Sequence, residues 1–141
     1  MKKLIILLLF IPLVSFGQTK FEYYESGAVK SKENYVDGKL QGEMISYYES
    51  GAVRIKANNV DGKLQGEAIS YFESGAVKSK SNWFDGKQQG EMIMYYESGV
   101  VRAIGNYVDG IKNGKRIRFN KRGEVVDEVN FLNGKPKGNI R

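Results

Sequence analysis

The sequence predicts an all-β fold, an elongated antiparallel meander of five 24-residue hairpin repeats. Three observations carry that expectation. The stretch "ESGAVKSKENYVDGKLQG", Glu25 to Gly42, returns as "ESGAVRIKANNVDGKLQG", "ESGAVKSKSNWFDGKQQG" and "ESGVVRAIGNYVDGIKNG", then loosely as "KRGEVVDEVNFLNGKPKG". With Tyr23, Tyr47, Tyr71, Tyr95 and Phe119 in register the period is 24 without insertion, the mark of a stacked array. Three glycine columns recur in all five copies and hold fifteen of the seventeen glycines, so glycine here marks geometry rather than flexibility. Between the glycines lie runs of six to nine residues rich in β-branched and aromatic side chains, the length of strands. No window has the i, i+3, i+4, i+7 apolar spacing of a helix.

The elements follow in chain order. "MKK" is a basic start, Leu4 to Val14 is an eleven-residue apolar run, and Ser15 and Gly17 are small. That order predicts a signal peptide over residues 1–17, cleaved between Gly17 and Gln18. The run is shorter than the ~20 residues of a membrane-spanning helix. No Cys follows it, so a lipid anchor is not expected. The expected location is therefore outside the cytoplasm: periplasm, outer membrane surface or medium. Residues 19–141 form the repeat domain, with copies at 23–46, 47–70, 71–94, 95–118 and 119–141. In each copy "ESG" predicts a three-residue hairpin loop whose glycine (Gly27, Gly51, Gly75, Gly99) takes the left-handed conformation. "DG", with Gly38, Gly62, Gly86 and Gly110, predicts a type I′ turn, which needs positive φ at both central residues. The third column, beginning at Gly42, falls where a strand starts and predicts a bulge or a close backbone approach. A lone hairpin is marginal in water, so each copy needs its neighbours. The last copy replaces Glu and Ser at its loop, gains Asp127 and Glu128 and carries Pro136, which predicts a cap.

The aromatic–polar–Gly start "YYESG", the stretch "NYVDGK" and the glycine four residues later resemble the MORN repeat in its shorter bacterial variant. The resemblance covers residues 19–141 and implies the same hairpin fold. Bacterial proteins of this kind are commonly grouped with a YwqK-type toxin–antitoxin antitoxin family, which implies a chain that binds and neutralises a partner protein.

Composition narrows the chemistry. There is no Cys and no His, so thiolate sites, a Cys nucleophile and imidazole acid–base catalysis are absent. Without the signal peptide, 20 basic residues stand against 16 acidic ones, a net charge of +4 with the signs interspersed. That is not the concentrated basic stripe of a nucleic-acid binder, and no nucleic acid is expected as partner. Two columns are candidates for binding. Lys30, Arg54, Lys78 and Arg102 form a row of cations at ~10 Å spacing. By strand alternation it shares a face with Lys32, Lys56 and Lys80, and Glu43, Glu67 and Glu91 are expected as nearby counter-charges. It is either a solvated face or a site for an acidic surface. Tyr35, Trp83 and Tyr107 form a ring column that either packs the sheet or grips a partner. Asn59 interrupts it, which predicts a face that is not uniformly buried. Asn34, Asn58, Asn82 and Asn106 are expected to serve structure by bonding backbone groups beside the "DG" turn. The turn carboxylates occur four times each, whereas an active site is singular, so neither an enzyme nor a cofactor or metal is expected. The function expected is an exported, non-catalytic scaffold binding a partner protein, antitoxin- or immunity-like by the resemblance. The alternative is an envelope-surface binder of anionic lipid or polysaccharide. Oligomeric state is left open.

Overall fold

A computed structural model describes residues 17–140, with side chains through Gly138. The expected signal peptide lies outside the described residues except for Gly17. The described chain is all β. Its strands are β1 (Gln18–Tyr23), β2 (Val29–Val36), β3 (Lys39–Tyr47), β4 (Val53–Val60), β5 (Lys63–Leu64), β6 (Gly66–Tyr71) and β7 (Val77–Phe84). They continue as β8 (Lys87–Tyr95), β9 (Val101–Val108), β10 (Ile111–Lys112), β11 (Gly114–Phe119), β12 (Val125–Leu132) and β13 (Lys135–Ile140). All belong to one antiparallel sheet in chain order, with β5 and β10 short leading pieces of β6 and β11. Eleven strand positions at ~4.8 Å give a sheet roughly 50 Å across.

The turns have the expected chemistry. At the first loop Tyr24 N–H donates to Ala28 O and Gly27 N–H donates to Tyr24 O, both at 2.9 Å, with Gly27 at φ 86°. The arrangement repeats in every copy, down to Asn120, Gly123 and Glu124 in the last. At the second, Asp37 (φ 49°) and Gly38 (φ 76°) are both left-handed, as are the four later pairs through Asn133 and Gly134.

Two irregularities interrupt each copy. Beyond the loop Glu22 pairs with Ser31 but Tyr23 pairs with Val29, leaving Lys30 as an extra bulge residue. Arg54, Lys78, Arg102 and Val126 are the extra residues of the later copies. On β3, Tyr35 pairs with Leu40 and Glu33 with Met44, so Gln41, Gly42 and Glu43 lie opposite Asn34 alone. This second bulge, at the third glycine column, docks each copy on the next. Gln41 Oε1 accepts from Asp61 N–H at 2.9 Å and Leu40 O from Gly62 N–H at 2.9 Å. Gln65 and Gln89 hold Asp85 and Asp109 in the same way, at 3.1 and 2.8 Å. A second tie crosses at the other end of the strands. Tyr24, Tyr48 and Tyr96 donate their hydroxyls to the carbonyls of Tyr47, Tyr71 and Phe119, each 23 residues on, at 2.7, 2.8 and 2.9 Å.

With one layer there is no enclosed core, and no side chain among the described residues is fully buried. The two faces nevertheless differ. Cross-strand register places Ser31, Ser46, Ile55, Ser70, Ser79, Met94 and Ala103 in one row on the first face. On the opposite face the corresponding row is Phe21, Lys32, Ile45, Lys56, Ile69, Lys80, Ile93 and Ile104. The five buried side chains among the described residues, Ser31, Ser46, Ala57, Asn59 and Ser81, belong to the first, small-residue face. Asn59 corrects an expectation. It is 3% exposed, set between Gly42 and Leu64, so the break in the ring column is the most closed point of that face.

Candidate functional site

The bulge moves the basic row. In a bulge two residues of one strand oppose a single residue of its partner, so the extra side chain leaves strict alternation. Its contacts show which side it reaches. Lys30 Nζ lies 3.7 Å from Glu22, Lys78 Nζ sits 5.7 Å above the Phe72 ring, and an Arg102 guanidinium nitrogen is 3.9 Å from Met94 Sδ. Glu22 and Met94 belong to the small-residue face. Lys30 and Arg102 therefore project there, and Arg54 and Lys78, the extra residues of the same bulge, are placed alike, opposite to Lys32, Lys56 and Lys80 and not beside them as alternation alone suggests. All four are exposed.

The expected counter-charges lie elsewhere. Glu43, Glu67 and Glu91 pair across strands with Asn58, Asn82 and Asn106 on the isoleucine face. Every remaining Asp and Glu between Leu40 and Tyr107 sits in a loop or turn, at Glu49, Asp61, Glu73, Asp85, Glu97. The small-residue face from β3 to β9 thus carries cations and no carboxylate. Among the described residues Arg54, Lys78 and Arg102 make no ion pair. The asparagine column behaves unevenly. Asn34 Nδ2 donates to Glu43 O at 2.9 Å and its Oδ1 accepts from Thr19, whereas Asn58, Asn82 and Asn106 are exposed.

The ring column shares the small-residue face, at the "DG" end of the strands. Tyr35 donates its hydroxyl to Glu33 at 2.7 Å, a bond that raises the phenol pKa, and Lys20 Nζ lies 4.8 Å over its ring. Trp83 Nε1 donates to Ser81 Oγ at 2.9 Å, so the indole leans back along its own strand over the floor. Tyr107 stands farther on. The face therefore has a floor of Ser, Ala and Gly, cations and Tyr48, Phe72 and Tyr96 at one margin, and rings at the other.

Toward its C-terminal end the floor opens into a groove of about 430 Å³ lined by Met92, Met94, Tyr96, Arg102, Gly105, Tyr107, Lys112, Arg116 and Arg118, among others. The sequence reading did not single out Lys112, Arg116 or Arg118. The signal that exposes them is departure from the repeat: the positions that hold Met44, Ala68 and Met92 in earlier copies hold Arg116 in this one. Among the described residues no group of His, Cys, Asp or Glu gathers as a metal site.

Four stretches of the chain, residues 19–37, 40–58, 64–85 and 88–109, match the MORN repeat variant family, together more than half of its length. Each match takes in two strands and the "ESG" loop between them, and three end at or beside the Asp of a "DG" turn. The fifth copy lies outside the matches but has the same loop, turn and first bulge, while its second bulge, Lys137 and Gly138 opposite Asn130, is one residue shorter. A search of the curated proteins finds no match to the chain. With four registered copies matched on one continuous hairpin sheet, the chain belongs to the MORN repeat variant family.

Proposed function

We propose that the protein is an exported, non-catalytic repeat scaffold that binds a partner protein, antitoxin- or immunity-like as the resemblance to the YwqK-type family implies. The observation that carries the binding reading is the carboxylate-free face from β3 to β9, where Arg54, Lys78 and Arg102 recur without ion-pair partners at ~10 Å intervals. A partner with matching acidic patches gains one weak contact per copy, and contacts made together on one rigid surface add up. Export is supported by the basic, apolar and small-residue order of residues 1–17. A non-catalytic role is supported by the fourfold recurrence of the turn carboxylates and by a composition without Cys or His.

The same row of cations favours a second reading, attachment to anionic lipid or polysaccharide at the cell envelope. The two readings separate in a cross-linked pull-down of C-terminally tagged protein from envelope and soluble fractions, read by mass spectrometry. One dominant protein whose capture drops when Arg54, Lys78 and Arg102 become Gln is the expected result. Bait confined to the envelope with no protein partner, released by salt from anionic vesicles or glycan, sinks the partner reading in favour of the second.

A further inference from the structure

The C-terminal groove is where the repeats stop being alike. On the small-residue face, Leu40, Leu64 and Gln88 give way to Lys112, Ser46, Ser70 and Met94 to Arg118, and Ala57 and Ser81 to Gly105. Together with the change to Arg116, these substitutions gather four cations about one cleft: Arg102, Lys112, Arg116 and Arg118. One carboxylate on that face answers them. Asp127 accepts from Arg118 Nε at 2.8 Å and lies 3.5 Å from Arg116. Three positive charges stay unbalanced. Arg116 is also incompletely used: its Nε is shielded from water and without a hydrogen-bond partner. Its guanidinium carbon lies 5.6 Å from the Phe131 ring centre, as Lys112 Nζ does from the other margin. The remaining wall is apolar, with two flexible thioethers, Met92 and Met94, and two phenol rings, Tyr96 and Tyr107.

We propose that this groove receives an acidic segment of the partner protein, its carboxylates held by Arg116, Arg102 and Lys112 and its apolar side chains on Met92 and Met94. This rests on the partner-protein reading above and gives that partner a chemistry. A protein segment fits better than the other anions. A free inorganic anion leaves the thioether and phenol walls uncovered. A flat anionic bilayer meets Arg54, Lys78 and Arg102 alike and has no reason to prefer the groove. Asp127 orients Arg116 and Arg118 in advance, so little order is lost on binding.

The test is a titration of the isotope-labelled full chain, followed by amide shifts, with acetyl-EFDELFDE-amide, its neutral counterpart acetyl-QFNQLFNQ-amide, and phosphatidylglycerol vesicles. The acidic peptide is expected to shift Met92, Ala103, Gly105 and Lys112, and to bind roughly tenfold or more tightly than the neutral one. The exposed pair Arg102→Gln/Lys112→Gln is expected to weaken it about tenfold, while Lys32→Gln/Lys56→Gln/Lys80→Gln on the isoleucine face leaves it unchanged. Shifts spread evenly along Arg54 and Lys78, equal loss in both variants, or binding to vesicles alone overturns the proposal. So does a partner captured equally by the chain and by its Arg102→Gln/Lys112→Gln form, which leaves the partner reading standing. A pull-down that yields no protein partner overturns both.

Discussion

Ala57 and Gly105 occupy the same position of the repeat two copies apart, yet the sheet treats them differently. Ala57 is 6% exposed, and Ser81 in the copy between is 8% exposed with Trp83 bonded to it. Gly105 forms the floor of an open groove. The backbone ladder is the same at Ala57 and Gly105, so side chains make the difference. Met44 flanks Ala57 across the strands, and Met92 lies between Ser81 and Gly105, paired with both. Beyond Gly105 stands Arg116, whose guanidinium is drawn away toward Phe131 and Asp127. A long cation held by its own partners leaves space that a methionine or a ring fills. The loss of a side chain at Gly105 and the cations that replace smaller or apolar residues beside it convert a sealed floor into a cleft.

The largest effect is expected where that contrast is attacked directly. Ala57→Leu overpacks a closed floor and should cost about 1–3 kcal/mol by denaturant unfolding. At Gly105 a new Cβ meets Arg116 Cγ at 3.7 Å, ordinary contact, and φ there is not left-handed. Gly105→Ala should therefore be neutral or stabilise by roughly 0.5–1 kcal/mol. Equal costs at the two sites would show that the groove is not open in solution.

The tyrosine ties give the next largest effect. Tyr48→Phe and Tyr96→Phe each lose a part-buried bond into the next copy and should destabilise by about 1 kcal/mol. Phe72 occupies the same column without a hydroxyl. Phe72→Tyr should reach Tyr95 O and gain a comparable amount, unless displacement of Lys78 from the ring offsets it. A loss of stability in that variant would break the equivalence of the copies. Gln65→Ala removes an exposed tie to Asp85 N–H and should cost only about 0.5 kcal/mol, seen as faster amide exchange at Asp85.

The smallest effect concerns acid and the last copy. Arg118 hydrogen-bonded to Asp127, and Asn120 and then Arg122 bonded to Glu124, hold both carboxyls below their ordinary range. Their stabilisation is complete above the unfolded carboxylate pKa of about 4 and is lost as pH falls through the lower folded values. Amide protection in β12 should therefore decline only in acid, and Asp127→Asn should remove part of that decline. An unchanged profile in the variant would separate the ion pair from the stability of the cap.

Much of this was legible in the residues. A left-handed φ is forced within a two- or three-residue loop, so the "ESG" and "DG" turns follow from their own side chains. The second bulge, at Gly42 and its equivalents, is legible for the same reason. The bulge at Lys30 is not, because it carries no glycine. The pairs Glu22 with Ser31 and Tyr23 with Val29 define it, and such register is set between strands. That one unseen residue sent the basic row to the wrong face and assigned it counter-charges, Glu43, Glu67 and Glu91, that lie on the other side. Asn59 misled for a related reason: a polar residue in a ring column reads as exposure, but Gly42 and Leu64 enclose it.

The sequence by itself determined the number of copies, the two turns of each and the strand lengths, because those constraints act over a few neighbouring residues. Tertiary structure alone decided which face the cations take, where the floor is closed and where it opens. Those outcomes depend on the pairing register and on side chains that reach the site from other strands, as Arg116 does at Gly105.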